Sequence, residues 1–538
     1  MTIPSHDQLS LQREASFFAE IRTHWKSLLA LTLLALVYHA VLWRSWPLYV
    51  AVGGDDPKGT IGLYVDAFKS DHPAQYWNAA FRGPIPPLFH GSALSINVLV
   101  DVVGLTVLAV LAVPMVFLTV IPWGYKAAIV SASLYLLDLP MQLLYHEVSS
   151  EAFSTLFTIA AFLALRYCLQ TPRTLSWALL GVAIGLGTLS RPANLGFLVL
   201  AAGILVCQIP LNRKFWLGLV TVVVALVTIS PWIIYRGLRY NMWMFSRGGN
   251  FGEFFEVYDD ELILPGNGPA TDKLVNLLSE NLLSQPGYQA AHVSLARLLR
   301  ADGNPGYRTS VYSANEYVWD IVYTVDKYDG WDSSYKILSD AAYEGVQAHP
   351  WKFAQAFANG LRITFLDYAV VGPATPRNVA PPRIPGERVA WPPLYSMPYS
   401  HPNTVPEPSI IPAQIDQAQT MRLLSLLAHV QGDVPLGQSM IRFWTLLWPP
   451  LIIIYALSLV AIVTSRGKSL VFLLLSNGSA VVLTAFSSLF GNLPRYRMPV
   501  ETIFLVTSVI GAAFIVGIIK QLIARNAIDK RVDEDFTG

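Results

Sequence analysis

Apolar runs of about 20 residues constrain this chain more than anything else in it. Stretches such as 97–122, 214–236 and 498–520 carry few charges over the length an α-helix needs to cross roughly 30 Å of hydrocarbon. In lipid every backbone N–H and C=O must find its partner within the segment, so runs of this kind fold as spanning helices. Composition agrees. Of 538 residues, 53% are hydrophobic and only 14% charged, against about 25% charged in a soluble domain. A formal net charge of +1 supplies no field that would favour nucleic acid. Cys168 and Cys207 both fall in expected membrane segments and read as small apolar packers rather than a disulfide.

The pattern predicts a polytopic α-helical membrane bundle of about ten spans, near residues 27–45, 97–122, 125–139, 150–170, 175–190, 193–210, 214–236, 441–465, 469–490 and 498–520. The first follows a polar 26-residue arm and lacks a small-x-small cleavage site, so it reads as a retained signal anchor. With the N-terminus inside, cytoplasmic stretches hold Arg13, Arg22 and Lys26, then Lys126, Arg166 and Arg173, then Arg213 and Lys214, Arg466 and Lys468, and finally Lys520, Arg525, Lys530 and Arg531. That alternation follows the positive-inside rule and puts both termini in the cytoplasm. Arg82, Arg191, Arg495 and Arg497 break it, all on the outer side.

Three parts are expected: a membrane module at 1–237 with its first outer loop at 46–96, a polar extracytoplasmic insert of mixed structure at 238–440, and C-terminal helices with a cytoplasmic tail at 441–538. The first loop is rich in aromatic residues (Trp46, Tyr49, Tyr64, Phe68, Tyr76, Trp77, Phe81), which suits the headgroup layer. The insert includes Gly/Asn/Asp clusters at 248–250 and 302–304, helical stretches such as 338–366, and a proline-rich run from Pro373 to Pro412. Proline cannot sustain long helices, so this run is expected to drape as an extended cover. No internal repeat or heptad pattern is visible.

The remaining polar residues gather by topology on one side. They are Asp55 and Asp56, Arg82, His146, Glu147 and Glu151, Arg191, Arg236, Arg239, Arg247, Arg495 and Arg497. Ionisable groups at membrane depth are costly and usually serve a site or one another. Arginine binds phosphate oxygens through two N–H groups at once, so acids and arginines converging on one face suggest a pocket for a phosphate-bearing lipid. A carboxylate of Asp55 or Asp56 can draw the proton from an attacking hydroxyl; Asp before Pro57 is equally a helix cap or turn start. The two carboxylates can also hold a divalent cation with water completing its shell, and nothing else in the chain calls for a cofactor. Glu151 after Ser149-Ser150 reads as a helix N-terminus, with His146 and Glu147 one turn earlier. Arg191 reads as a snorkelling helix end or a phosphate ligand. Arg495 and Arg497 flank Tyr496 between Pro494 and Pro499, the form of an anion clamp.

Taken in order, these motifs resemble the bacterial family C (GT-C) glycosyltransferases, polytopic enzymes with a polyprenyl-phosphate sugar donor. Gly54-Asp55-Asp56 is similar to the family's first-loop acidic motif. Arg82-Gly83-Pro84-Ile85-Pro86-Pro87-Leu88-Phe89 is similar to its Arg-Pro-Pro-Gly-Tyr-Pro-Leu-Phe stretch. Ser150-Glu151 stands where the family has Thr-Glu, and Leu189-Ser190-Arg191-Pro192 where it has Leu-Thr-Arg-Pro. Ser230-Pro231-Trp232 with Arg236, His349-Pro350, and Pro494 to Pro499 also have counterparts. The acid-to-tyrosine spacing between Asp56 and Tyr64 is longer than usual, and Tyr235-Arg236-Gly237 replaces Arg-Asn.

The resemblance implies an inverting transferase of the inner or plasma membrane, facing outward. Asp55 or Asp56 would be the base, Arg191, Arg495 and Arg497 would hold the donor phosphate, and Arg82, Tyr64, His146, Glu147, Glu151 and Tyr496 would contact substrate. The acceptor would be a glycan, lipid or protein. A nucleotide-sugar donor is disfavoured, because no Gly-rich phosphate loop is present and the site faces away from the cytoplasm. A transporter or lipid flippase is the alternative, and it would be expected to show pseudo-repeats and interrupted helices at matching positions. Neither is visible.

Overall fold

The computed structural model describes residues 17–45, 64, 82–240, 242–246, 248–285, 288–289, 292–299, 318, 321–322, 324–325, 328–329, 335–368, 434–488 and 496–537. Among these residues the chain is helical, without a strand. The membrane part comprises α1 (Phe17–Ser45), α2 (Ile85–Ile96), α3 (Val98–Val120), α4 (Tyr125–Leu137), α5 (Leu139–Leu143), α6 (Glu151–Gln170), α7 (Thr174–Ser190), a 3₁₀ helix over Pro192–Val206, and α8 (Leu211–Tyr240). The insert holds α9 (Gly248–Asp259), α10 (Pro269–Asn281), α11 (Lys336–Ala348) and α12 (Pro350–Leu366), and the chain ends with α13 (Val434–Leu447), α14 (Leu451–Thr464), α15 (Gly467–Ser487) and α16 (Met498–Thr537).

Six of these helices are long and apolar enough to cross a membrane, or up to eight if two bent pairs each count as one span. The pairs bend by 62° at Asp138 and by 50° near Pro449-Pro450. The expected count of ten is not reached, because the segments expected at 175–190 and 193–210 are the shorter helices Thr174–Ser190 and Pro192–Val206. The second is 3₁₀. At about 2.0 Å rise per residue, 3₁₀ geometry would carry its 15 residues through roughly 30 Å.

Two observations explain how the bundle closes. Helices α7 and α8 approach through Gly181 and Gly185: an added Cβ would lie 2.5 Å from the Thr221 carbonyl oxygen or 2.6 Å from the Thr228 side chain. Small residues four apart let backbones meet where water exclusion cannot drive association. Thr221 Oγ1 adds a hydrogen bond to the Trp177 carbonyl at 3.0 Å. At one end of the bundle, Arg166 is fully buried, donating to Glu20 of α1 and to the Leu118 carbonyl, while the Tyr167 hydroxyl donates to the same Glu20 at 2.5 Å. Arg166 therefore belongs to a buried ion pair, so it is a weak witness for the positive-inside count. Cys168 and Cys207 are free and buried.

The insert has its own apolar core, from Trp232 and Tyr240 through Phe254, Tyr258, Leu274 and Leu278 to Leu338 and Ala341. Its described residues are helical rather than mixed, and Gly248-Gly249-Asn250 opens helix α9. His349 breaks the stretch expected at 338–366 into α11 and α12. The Pro373–Pro412 run lies outside the described residues.

Glu344 of α11 accepts from the Ala270 and Thr271 amides, at 2.9 and 2.7 Å, and from the Thr271 hydroxyl at 2.8 Å. It thus caps α10 from another helix. Desolvation raises its pKa, but the three hydrogen bonds outweigh that and hold it below the ordinary 4.5. A carboxyl with a depressed folded pKa stabilises fully above its unfolded value, and that contribution fades as pH falls through the folded one. Protection of 269–281 against hydrogen exchange should therefore weaken below about pH 4.5. Glu344→Gln should lower protection at neutral pH and flatten this dependence; an unchanged acid dependence would refute the assignment.

Candidate functional site

The site grows from helix ends. Glu151 opens α6, where a negative charge complements the helix dipole, and Arg191 closes α7, where a positive one does. The two helices are sequential neighbours packed against each other, so the charges meet: Arg191 Nη1 lies 3.5 Å from Glu151 Oε1, with side chains 16% and 4% exposed. Glu151 Oε2 also accepts from the Ser150 hydroxyl at 3.1 Å. The Arg191 guanidinium lies over the Tyr496 ring at 5.0 Å. Among the described residues, no other hydrogen bond holds its N–H donors.

The Arg82 segment abuts the same place. A Cβ on Gly83 would fall 1.9 Å from the Leu189 carbonyl oxygen and 3.3 Å from the Ser190 nitrogen. Only glycine permits that approach, which sets Arg82-Gly83 against Ser190-Arg191. Arg82 Nη1 donates to the Tyr64 hydroxyl at 2.7 Å and lies 5.3 Å over its ring. Beneath Tyr64, the His90 ring stacks in parallel at 5.6 Å, and His90 Nδ1 meets Asp101 Oδ1 at 2.8 Å. Both are fully buried.

His90 and Asp101 were absent from the residues expected by sequence. Asp101 carried a usable signal: an acid in the first turn of an otherwise apolar span seldom lacks a partner. Its link to His90, 11 residues away across a helix break, follows no periodicity.

Other expected residues have partners of their own. His146 shares a hydrogen bond with His39 of α1 at 3.0 Å and packs against Trp43 at 3.9 Å between ring centroids. Gln142 binds the far side of His39 at 3.2 Å. His146 is thus buried inside the bundle, and Glu147 beside it is buried as well. Arg497 is fully buried, with Nε 3.1 Å from Glu501 and Nη1 donating to the Thr364 and Asp367 carbonyls at 2.5 and 3.0 Å. Arg236, also fully buried, donates to the Met244 carbonyl. Asp55, Asp56, Arg247 and Arg495 lie outside the described residues. Among the described residues no group of three or more His, Cys, Asp or Glu side chains could hold a metal ion.

Comparison with known proteins adds one family match. Residues 88–235 match the dolichyl-phosphate-mannose-protein mannosyltransferase family. The matched stretch includes Glu151 and Arg191 and omits Arg82 and Tyr496. The GT-C resemblance read from the motifs is borne out to that extent.

Among solved structures, archaeal oligosaccharyltransferase AglB from Archaeoglobus fulgidus, in complex with an inhibitory peptide and a dolichol-phosphate, is 13% identical, with a TM-score of 0.41. The alignment covers 95% of this chain and 52% of that one, so the chain spans about half the length of AglB. ArnT from Cupriavidus metallidurans bound to undecaprenyl phosphate is 13% identical over 91% of this chain and 78% of that one, with a TM-score of 0.33. No curated protein matches.

Proposed function

We propose that this chain, GT-C-like in its helical membrane fold and in its family match, is a glycosyltransferase that moves a sugar from a polyprenyl-phosphate donor to an acceptor hydroxyl with inversion. The observation that carries the reading is Arg191. It is a partly exposed guanidinium with spare donors, steadied by Glu151 on one side and the Tyr496 ring on the other, where the Arg82 segment also abuts.

The donor lipid enters between helices, and its phosphate meets Arg191, with Arg495, the residue before Tyr496 in sequence, assisting. Arg82, Tyr64 and Glu151 line the sugar. The acceptor hydroxyl attacks the anomeric carbon as its proton passes to Asp55 or Asp56. The bond from that carbon to the phosphate oxygen breaks, and the new charge on polyprenyl phosphate develops against a guanidinium already in position. The site opens to the extracytoplasmic side with both termini inside, in keeping with the basic residues between spans. The insert at 238–440 shapes the acceptor side.

The test is incubation of purified protein in lipid nanodiscs with a panel of radiolabelled polyprenyl-phosphate sugars, nucleotide sugars serving as the contrast. Release of polyprenyl phosphate with label moving to an acceptor is expected from a lipid donor alone. Lipid-linked sugar translocated intact across proteoliposomes, with no bond broken, would favour a flippase and overturn the reading.

A further inference from the structure

Tyr496 and Arg497 are adjacent in sequence yet engage different parts of the molecule. The Tyr496 ring underlies Arg191. The Arg497 guanidinium points into the protein, where it is fully buried between Glu501 and the last turn of α12. Its Nη1 donates to both the Thr364 and Asp367 carbonyls. Carbonyls at a helix C-terminus lack intrahelical donors and carry the negative end of the dipole, so a buried cation there fixes the helix end strongly.

Two further bonds hold the same turn. The Tyr368 hydroxyl donates to the Pro449 carbonyl at 2.5 Å, and the Tyr455 hydroxyl of α14 donates to the Phe365 carbonyl at 2.8 Å. The end of α12 is thereby tied to the α13–α14 break, to α14 and to the start of α16. In sequence it leads directly into the proline-rich run of the insert.

We infer that Arg497 is a positioning residue that registers the end of the insert's helix α12 against Arg191 by way of Tyr496, so that the insert and the donor-phosphate ligand shift together. The inference rests on the reading of Arg191 as a phosphate ligand. A guanidinium held by one carboxylate and two carbonyls has almost no rotational freedom, and the peptide bond passes that constraint to Tyr496. Lysine keeps the charge but is a point donor, without the planar fork that spans Glu501 and the carbonyls. By reciprocity, whatever shifts α12 alters donor affinity by the factor with which donor alters α12.

Hydrogen exchange in nanodiscs, with polyprenyl phosphate alone as the probe, tests this. Wild-type protein should bind the lipid and slow exchange at amides 363–368. Arg497→Lys and Tyr496→Leu should each weaken binding about tenfold, within the usual range of coupling between sites, and abolish that slowing. The double variant should bind about as well as either single one, since both cut the same connection. Should Arg497→Lys not fold, Tyr496→Leu, at a partly exposed position, carries the test. Binding without a change at 363–368, or losses that add in the double variant, would overturn the inference while leaving Arg191 as a ligand. Failure of wild-type protein to bind polyprenyl phosphate would remove the site reading and the inference together.

Discussion

Asp55→Asn and Asp56→Asn should leave the bundle folded, and at least one of them should abolish sugar transfer. Asparagine matches aspartate in shape but cannot accept the proton that the acceptor hydroxyl must lose. Loss of general-base assistance costs about 10²- to 10⁴-fold in rate. The base acts in the transition state, so kcat should fall while binding of the donor lipid is nearly unchanged. The check is transfer of label from a polyprenyl-phosphate sugar beside a donor-binding measurement on the same preparation. Full activity in both variants would mean that the first-loop aspartates are not the base.

Arg191 carries the second large effect. Arg191→Ala should weaken donor binding by roughly 30- to 1,000-fold, the range of about 2–4 kcal/mol for removing a charge-assisted contact. It also removes a cation from beside the buried Glu151, which costs stability in its own right. Arg191→Lys separates the two, keeping the charge beside Glu151 but losing the planar fork and the stack on Tyr496. It should fold normally and raise the donor KM with the acceptor KM unchanged. Arg495→Ala should act in the same direction. Equal loss of donor and acceptor binding in these variants would mark the arginines as structural.

What the sequence made legible follows from which forces are local. Spanning helices are visible because lipid forces each apolar run to satisfy its own backbone, so the expected spans fall on apolar helices even where length leaves the count short of ten. Glu151 and Arg191 were also readable. Each is a charge of the right sign at a helix end, and packing of consecutive helices brings such ends together.

The two basic residues around Tyr496 show where this stops. Arg495 and Arg497 look equivalent in sequence, yet Arg497 Nη1 donates to the carbonyls of Thr364 and Asp367, 130 or more positions earlier. Nothing local announces that partner. His146 shows the same limit: its ring pairs with His39 across the bundle, a partner that its place near Glu151 in sequence does not announce. The His90–Asp101 pair depends on the helix break at Asn97, which hydropathy does not resolve, and Arg82 meets Tyr64 from 18 positions away.

Central to the proposal is that Arg191, with the Tyr496 ring under its guanidinium and the Arg82 segment beside it, receives a lipid phosphate. A polyprenyl phosphate bearing a photoreactive diazirine beside its phosphate, cross-linked in nanodiscs and mapped by peptide mass spectrometry, tests that directly. The account predicts labelling in peptides that carry Arg82 to His90, Leu189 to Asn194, and Tyr496 to Glu501, reduced by unlabelled polyprenyl phosphate. Labelling confined to the other end of α6, around Glu20 and Arg166, or spread without competition along the apolar helices, would contradict it.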